Sequence, residues 1–154
     1  MDRVARRLKR FDEVFIDFIK PRSILFLRIS IGLIYVLFGI LKFFPQYSPA
    51  EQLASDTISM MTLGIISDSL ALNLLAIVEV GIGFGLILGW RIKWIIWVTL
   101  WHMVCTFFPM LFIPDVAYSH SPISLSLVGQ YILKNIIIIA ALLTIYSFSQ
   151  KSPD

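Results

Sequence analysis

Residues 70–89 read LALNLLAIVEVGIGFGLILG and carry a single charged side chain, that of Glu79. Twenty apolar residues are the length that an α-helix needs to cross the hydrocarbon core of a bilayer. Three further runs resemble this one in length and apolarity, namely 23–44, 94–112 and 127–148. Because backbone amides in lipid find no water to bond, each run must be helical. The sequence therefore predicts an all-α integral membrane protein built as a four-transmembrane-helix bundle.

The composition excludes most soluble classes. The chain has 154 residues, of which 58% are hydrophobic and 15% charged, and its mean hydropathy is +0.84. Soluble domains are nearer half apolar and a quarter charged, and a small domain cannot bury such a surplus. A soluble enzyme, a nucleic-acid binder and a disordered tail are therefore disfavoured. The single cysteine, Cys105, excludes an internal disulfide and a CxxC redox pair.

The basic residues predict the orientation of the chain in the membrane. Residues 1–22 carry seven Lys or Arg, and the second connection carries Arg91 and Lys93. The connections 45–69 and 113–126 carry no Lys or Arg. The positive-inside rule then places both termini in the cytoplasm, and we expect the four spans to lie in the bacterial inner (plasma) membrane.

The N-terminal 22 residues predict a cytoplasmic interfacial amphipathic helix. Apolar residues recur there at helical spacing while Arg and Lys occupy the other faces: Val4, Leu8, Phe11, Phe15 and Phe18. Such a helix lies in the interface and is attracted to anionic headgroups. We expect Pro21 to end it and Ser23 to cap the first span. The alternative is a calmodulin-like partner helix. At the other end, residues 149–154 are a predicted cytoplasmic tail.

The first outer connection contains the signature of a short helix. Ser48, Pro49, Ala50 and Glu51 form a capping box with proline at the first helical position. We expect a helix near 49–63, which is either a cap over the bundle or a lid on an outward-facing cavity.

The first span carries a stripe of polar and small residues. Five of them lie within about 80° of arc on one helical face: Arg28, Gly32, Tyr35, Gly39 and Lys42. This stripe should face the bundle interior. The alternative is that the two charges extend to opposite interfaces while the glycines allow close packing.

Glu79 lies roughly 13 Å below the outer end of the second span. A carboxylate at that depth must be paired, protonated or in contact with water. Gly83 follows one turn deeper on the same face, while Gly81 and Gly85 form a packing seam on the opposite face. The competing interpretation of Glu79 is a structural ion pair with Lys134 or Lys42.

Further polar residues of the later spans fall in the same outer half of the bilayer. His102 lies on the third span, and Gln130 and Lys134 lie one turn apart on the fourth. A lone histidine does not make a metal site, because stable sites need three or four ligands. Together with Tyr35 and Glu79, these residues predict one polar cavity of charge about +1 once Lys42 is included. It would suit a small anion or a quinone-like carbonyl. Salt-bridged structure without a ligand is the alternative.

Several short motifs in this order resemble a known family. They are Leu27-Arg28 with Gly39-Ile40-Leu41-Lys42-Phe43, then Glu79-Val80-Gly81-Ile82-Gly83 with Leu88-Gly89, and Gly129-Gln130-Tyr131-Ile132-Leu133-Lys134-Asn135. Residues 23 to 148 resemble DoxX/DoxD-like membrane proteins, in particular the YkgB-like (DUF417) branch. That branch often has Asp after the lysine of the fourth span, where this chain has Asn135.

The resemblance implies a four-helix membrane bundle and an association with redox systems. Relatives include a subunit of a thiosulfate:quinone oxidoreductase and a membrane partner of oxidative-stress proteins. We therefore expect an accessory or binding subunit of a membrane redox system rather than a stand-alone enzyme. Its partners would be the lipid bilayer, redox-complex subunits or a second copy of the chain, and not nucleic acid.

The roles within the cavity follow from side-chain chemistry. Arg28 and Lys42 would shape an electropositive face, Glu79 would handle protons, and His102 and Tyr35 would donate hydrogen bonds. No catalytic residue or cofactor is assigned, although a quinone is compatible. Two alternatives remain open: a proton-coupled small-molecule transporter, and a non-catalytic assembly protein. The assembly protein would use the Gly81/Gly85 seam, the stripe of tryptophans in 90–101 and the basic N-terminal helix.

Overall fold

The computed structural model describes residues 2–44, 47, 51–119 and 124–149, without the side chains of Asp2, Arg3 and Arg6. These residues form helices that we number in chain order: α1 (Asp2–Ile19), α2 (Ser23–Leu41), α3 (Glu51–Met61), α4 (Asp68–Leu88), α5 (Ile92–Cys105), α6 (Phe108–Phe112), α7 (Pro114–Ala117) and α8 (Leu127–Ser149). A 3₁₀ turn, Lys20–Arg22, joins α1 to α2.

Four helical segments are long and apolar enough to cross a membrane: Arg7–Leu41, Asp68–Leu88, Ile92–Phe112 and Leu127–Ser149. The predicted all-α membrane bundle is therefore confirmed. Many large apolar side chains of these spans are exposed on the bundle surface. In a membrane protein that surface contacts lipid and not water, so the exposure of these apolar side chains is not unfavourable.

The first span differs from the prediction at its start. Helix α1 ends at Ile19, two residues before Pro21, but the backbone stays in the right-handed helical region through the 3₁₀ turn to Ser23. Proline is tolerated at the first turn of a helix, where its missing N–H is unpaired in any case. Ser23 is itself helical, and its hydroxyl donates to the Lys20 carbonyl at 3.1 Å.

Glycines bring α2 and α4 into close contact. A Cβ built on Gly83 would lie 2.7 Å from the Gly32 carbonyl oxygen, and one on Gly32 would lie 2.8 Å from the Gly83 oxygen. A Cβ on Gly39 would lie 3.0 Å from the Glu79 Cβ. Only residues without a side chain allow two helix backbones to approach this closely.

On the other face of α4, the structure shows packing against another helix at one glycine of the predicted seam, Gly85, and not at the other, Gly81. Gly85 packs against Ile95 of α5, where a Cβ would lie 2.7 Å from the Ile95 Cδ1. Gly81 is exposed, and a Cβ there would have no neighbour within 4 Å. The expectation that Gly81 packs within the bundle is thus corrected: it lies on the side of α4 that faces away from the neighbouring helices.

The buried core lies between α2, α4, α5 and α8. Its members are Ile31, Tyr35, Ile82, Leu86, Ile96, Met103, Leu142 and Ile145. Tyr35 is the member with a polar group, and it belongs to the polar stripe of the first span. The core and the polar residues therefore share the same faces of the helices.

The third span is interrupted where the sequence predicted a continuous run over 94–112. Helix α5 ends at Cys105, and α6 begins at Phe108 after a turn at Thr106 and Phe107. Pro109 has no N–H to donate to the Cys105 carbonyl, so the helical hydrogen bonding is broken there. After α7, an isolated antiparallel bridge pairs Tyr118 with Leu125 before α8 begins.

The outer connection contains α3, which spans Glu51–Met61 where the sequence predicted a helix near 49–63. Ser48, Pro49 and Ala50 of the predicted capping box lie outside the described residues, as do residues 150–154 of the predicted tail. Helix α3 packs against α4 and against α6. It therefore belongs to the helical bundle and is not a detached segment of the connection.

Candidate functional site

A buried ion pair joins the first two spans. Lys42, directly after α2, places its Nζ 2.6 Å from the Oε2 of Glu79 on α4. The two side chains are 6% and 9% exposed. The absence of a side chain at Gly39 lets α2 approach α4 at this level. The pair resolves the problem that a carboxylate faces in lipid, since each charge meets its counter-charge.

The third span adds a histidine to this pair. The Nε2 of His102 lies 3.5 Å from the Oε1 of Glu79, and the imidazole is 14% exposed. Its Nδ1 lies 3.0 Å from the hydroxyl oxygen of Tyr35 on α2. The two rings meet edge to face with centroids 5.4 Å apart. The side chains of Lys42, Glu79, His102 and Tyr35, which come from the first three spans, thus contact one another in this order.

The chemistry of the neighbours assigns the proton positions on His102. The Glu79 carboxylate is ionised beside Lys42 and can only accept hydrogen bonds. The His102 nitrogen that faces it, Nε2, is therefore the one that carries the proton. In the neutral imidazole, Nδ1 then accepts a hydrogen bond from the Tyr35 hydroxyl. Tyr35 therefore holds His102 in the tautomer that presents an N–H toward the carboxylate.

We call these four residues the outer polar cluster: Tyr35, Lys42, Glu79 and His102. Its formal charges are those of Lys42 and Glu79, which cancel when His102 is neutral. It presents N–H donors next to a carboxylate acceptor in surroundings of low dielectric, where hydrogen bonds are stronger than in water. Such a group can bind a molecule that both accepts and donates hydrogen bonds, and it can exchange a proton with that molecule.

Two predicted members of the cavity are not brought to the cluster. Lys134 is exposed, and its Nζ lies 4.9 Å from the ring centre of Tyr131. Gln130 is also exposed, and its Nε2 donates to the Leu125 carbonyl at 3.4 Å. Helix α8 buries a different face, which contains Ile132. Without Lys134 the predicted cavity charge of about +1 becomes zero.

Arg28 lies at the opposite end of the bundle. It precedes Lys42 by fourteen residues, or about 21 Å along a helix. Its guanidinium lies against Gly89, where a Cβ would come within 2.6 Å of the Arg28 Nη1. Gly89 ends α4 with φ at +72°, so the arginine sits beside the negative end of the α4 dipole. Arg28 thus belongs to the inner end of α4 and not to the outer polar cluster.

A hydrogen bond between α5 and α8 was not predicted from the sequence. The Nδ2 of Asn135 donates to the Oγ1 of Thr106 at 2.9 Å, and that hydroxyl donates to the Met103 carbonyl at 2.6 Å. One sequence feature could have indicated this bond: Asn135 and Thr106 are polar residues at similar depth in two apolar runs. The resemblance drew attention to Asn135 only as a missing carboxylate, whereas the structure gives it a role in helix association.

An apolar cleft of about 70 Å³ lies between α3 and α6. Its lining residues are Thr57, Met60, Met61, Phe108, Pro109, Phe112 and Ile113. Pro109 follows His102 by seven residues along the third span, across the turn at Thr106 and Phe107. The cleft therefore adjoins the end of the span that carries the histidine.

The part of the chain that the structure describes contains no group of three or more His, Cys, Asp or Glu that could hold a metal ion. In the outer polar cluster, Glu79 and His102 would be two ligands at most, and Lys42 occupies one carboxylate oxygen. The cluster is thus a hydrogen-bonding site in its chemistry.

Comparison with known proteins gives one family match. The model of the DoxX family matches residues 23–111, which is more than half of the chain. The matched region contains all four residues of the outer polar cluster. No match was found among curated proteins or among solved structures.

Proposed function

The chain belongs to the DoxX family, and from this premise we propose that it is an accessory subunit of a membrane redox system that binds a small quinone-like molecule. The observation that carries the proposal is the outer polar cluster, in which four polar side chains from three spans are joined within the membrane. Buried polar groups in a membrane are costly and mark functional sites by default. The finer assignment to the YkgB-like branch is part of the same proposal.

The charge of the cluster favours a neutral carbonyl compound over an anion. Lys42 and Glu79 cancel, so a bound anion would find no excess positive charge. A quinone-like headgroup needs donors for its carbonyl oxygens and, in its reduced form, an acceptor for its hydroxyl protons. In this proposal His102 Nε2 and Lys42 Nζ donate, Glu79 accepts, and Tyr35 orients the imidazole.

The 3.5 Å distance between His102 Nε2 and Glu79 Oε1 is the loosest link of the cluster. It exceeds the usual length of a charge-assisted hydrogen bond by more than half an ångström. We propose this gap as the point where a ligand oxygen enters, because the N–H there has no acceptor at the usual hydrogen-bonding distance. The α3–α6 cleft offers apolar contacts for the rest of such a molecule.

The proposal leaves Gln130, Lys134 and Arg28 out of the ligand site. The first two are exposed, and the third lies at the inner end of α4. We propose that the protein lies in the bacterial inner membrane with both termini in the cytoplasm. The distribution of Lys and Arg between the connections supports this orientation.

Native mass spectrometry of the protein, extracted gently from its own membrane, tests the proposed ligand. We expect a bound quinone-like molecule on the wild type and its loss in Glu79→Gln, which keeps the size of the side chain. Lys134→Gln is the matched control, because it removes a charge from the outer half without touching the cluster. A wild type without ligand, or equal ligand content in the wild type and Glu79→Gln, would contradict the proposal.

The continuity of the cluster favours one second candidate, a proton-coupled transporter. The side chains of Lys42, Glu79, His102 and Tyr35 follow one another over part of the membrane, with hydrogen bonds at both ends and the 3.5 Å contact between Glu79 and His102 in the middle. In this case, proteoliposomes would take up protons with a substrate, and Glu79→Gln would abolish the uptake. Ligand retention without proton movement would favour the accessory subunit instead.

A further inference from the structure

Helix α1 has an apolar face that nothing else in the described structure covers. Every described side chain from Val4 to Phe18 is exposed, and α1 packs against the adjoining 3₁₀ turn. The apolar stripe consists of Val4, Leu8, Phe11, Phe15 and Phe18. The rings of Phe11 and Phe15 stack with centroids 6.1 Å apart. Five such side chains on one face of a helix need an apolar environment.

The charge of the chain is concentrated on this same segment. Residues 2–22 contain seven Lys or Arg against four Asp or Glu, a surplus of three that equals the net charge of +3 of the whole chain. The remaining residues are therefore balanced. On a helical projection, Arg7 and Arg10 lie along one edge of the apolar stripe. A helix with an apolar face and a basic edge matches the surface of an anionic lipid leaflet.

We propose that α1 docks on the anionic inner leaflet, with the apolar stripe inserted at the acyl boundary and Arg7 and Arg10 at the headgroups. A second copy of the chain fits less well, because an antiparallel pairing of the stripes would bring the basic edges of two helices together. The inference rests on the proposed cytoplasmic N-terminus, but it is independent of any ligand at the outer polar cluster.

Docking on the leaflet requires a change of direction at the turn Lys20–Arg22, because the helical path of the structure runs from Arg7 through Leu41. Pro21 has no N–H, so the Asp17 carbonyl loses its helical donor at the membrane surface. The Arg22 side chain contacts the next residue along, since its Nη1 donates to the Phe18 carbonyl at 2.9 Å and its guanidinium lies 4.4 Å from the Phe18 ring centre. The missing helical donor thus lies between α1 and α2, where docking needs a change of direction.

Fluorescence quenching in nanodiscs tests the docking on the full chain. A single fluorophore is attached at Phe15→Cys in the apolar stripe, or at Glu13→Cys on the opposite face as the control, both in a Cys105→Ala background. With phosphatidylglycerol present, we expect lipid-borne nitroxide to quench the label at position 15 and aqueous acrylamide to quench the label at position 13. With phosphatidylcholine alone, the label at position 15 should become accessible to acrylamide.

Substitution of single basic residues distinguishes direct contact between an arginine and the lipid headgroups from a general attraction of the basic helix to the anionic surface. Arg7→Gln should lower the ratio of docked to free α1 about fivefold at low salt, whereas Lys9→Gln on the polar face should lower it less. Equal accessibility of both labels to acrylamide on anionic discs would overturn the proposal. So would equal effects of the two substitutions, or protection of position 15 that occurs only when a disc holds two copies.

Discussion

Lys42 Nζ and Glu79 Oε2 lie 2.6 Å apart and join the end of α2 to the middle of α4. Neither side chain reaches a tenth of its full exposure. Lys42 lies at the end of its helix and could extend toward the outer interface, yet it points back to the carboxylate. The pair therefore fixes both the separation and the register of these two spans, and it provides the charges of the outer polar cluster.

Removing one partner of the ion pair should destabilise the protein more than removing both partners. Glu79→Leu or Lys42→Met alone leaves one buried charge without its partner, which costs about 3 kcal/mol or more. The double variant Lys42→Met/Glu79→Leu leaves neither charge and should recover much of that loss. The free energy of unfolding in mixed micelles, measured by detergent titration, gives the double-mutant cycle. If the cost of the double variant equals the sum of the single costs, the pair is not coupled.

Gly39→Ala should push α2 away from α4. The new Cβ would lie 2.9 Å from the Val80 Cγ2 and 3.0 Å from the Val80 backbone nitrogen, and a backbone atom cannot move aside. Overpacking of this kind costs about 1–3 kcal/mol. Gly81→Ala is the matched control on the same helix pair, because its Cβ meets nothing within 4 Å. Unfolding measurements should show a loss at position 39 and none at position 81.

Tyr35→Phe should release the tautomer of His102. The substitution removes the hydroxyl that lies 3.0 Å from Nδ1, at a cost in stability of about 1 kcal/mol. Nitrogen-15 NMR of labelled histidine should report an unprotonated Nδ1 in the wild type and a mixture of forms in the variant. Tyr131→Phe serves as the control, because Tyr131 is exposed on α8. An unchanged spectrum in Tyr35→Phe would show that another group sets the tautomer.

The hydrogen bond between Asn135 and Thr106 should contribute modestly to the packing of α8 on α5. Interhelical hydrogen bonds in membranes contribute about 0.6 kcal/mol on average. A double-mutant cycle with Asn135→Ala and Thr106→Val should give a coupling energy of this size. Thr144→Val is the control, since the Thr144 hydroxyl bonds to the Ala140 carbonyl of its own helix. A coupling energy of zero would reduce the 2.9 Å contact to simple proximity.

The proposed orientation can be measured with single cysteines in a Cys105→Ala background. Ile65→Cys in the first connection should react with an impermeant maleimide from the periplasmic side. Lys93→Cys in the second connection should react only after the membrane is opened. Both native side chains are exposed, so accessibility depends on the side of the membrane. The opposite labelling pattern would invert the orientation and would also remove the premise of the α1 docking.

The four spans could be predicted because membrane insertion depends on apolarity summed along the chain, which needs no knowledge of partners. The depth of Glu79 followed from counting residues at the rise of a helix. The stripe of Gly32, Tyr35 and Gly39 followed from helical periodicity, since one face of α2 differs from the rest. The interruption near Pro109 did not follow, because a proline can bend a span or break it, depending on its neighbours.

The partner of Glu79 could not be read from the sequence. Lys42 and Lys134 lie at similar depth, and the choice between them depends on how α8 is rotated about its axis. That helix is apolar on most of its faces, and lipid and a protein core accept the same apolar side chains. The sequence by itself therefore determined how many helices cross the membrane and how deep each polar group lies. The tertiary structure alone decided which polar groups meet, because helix rotation is set by packing between helices.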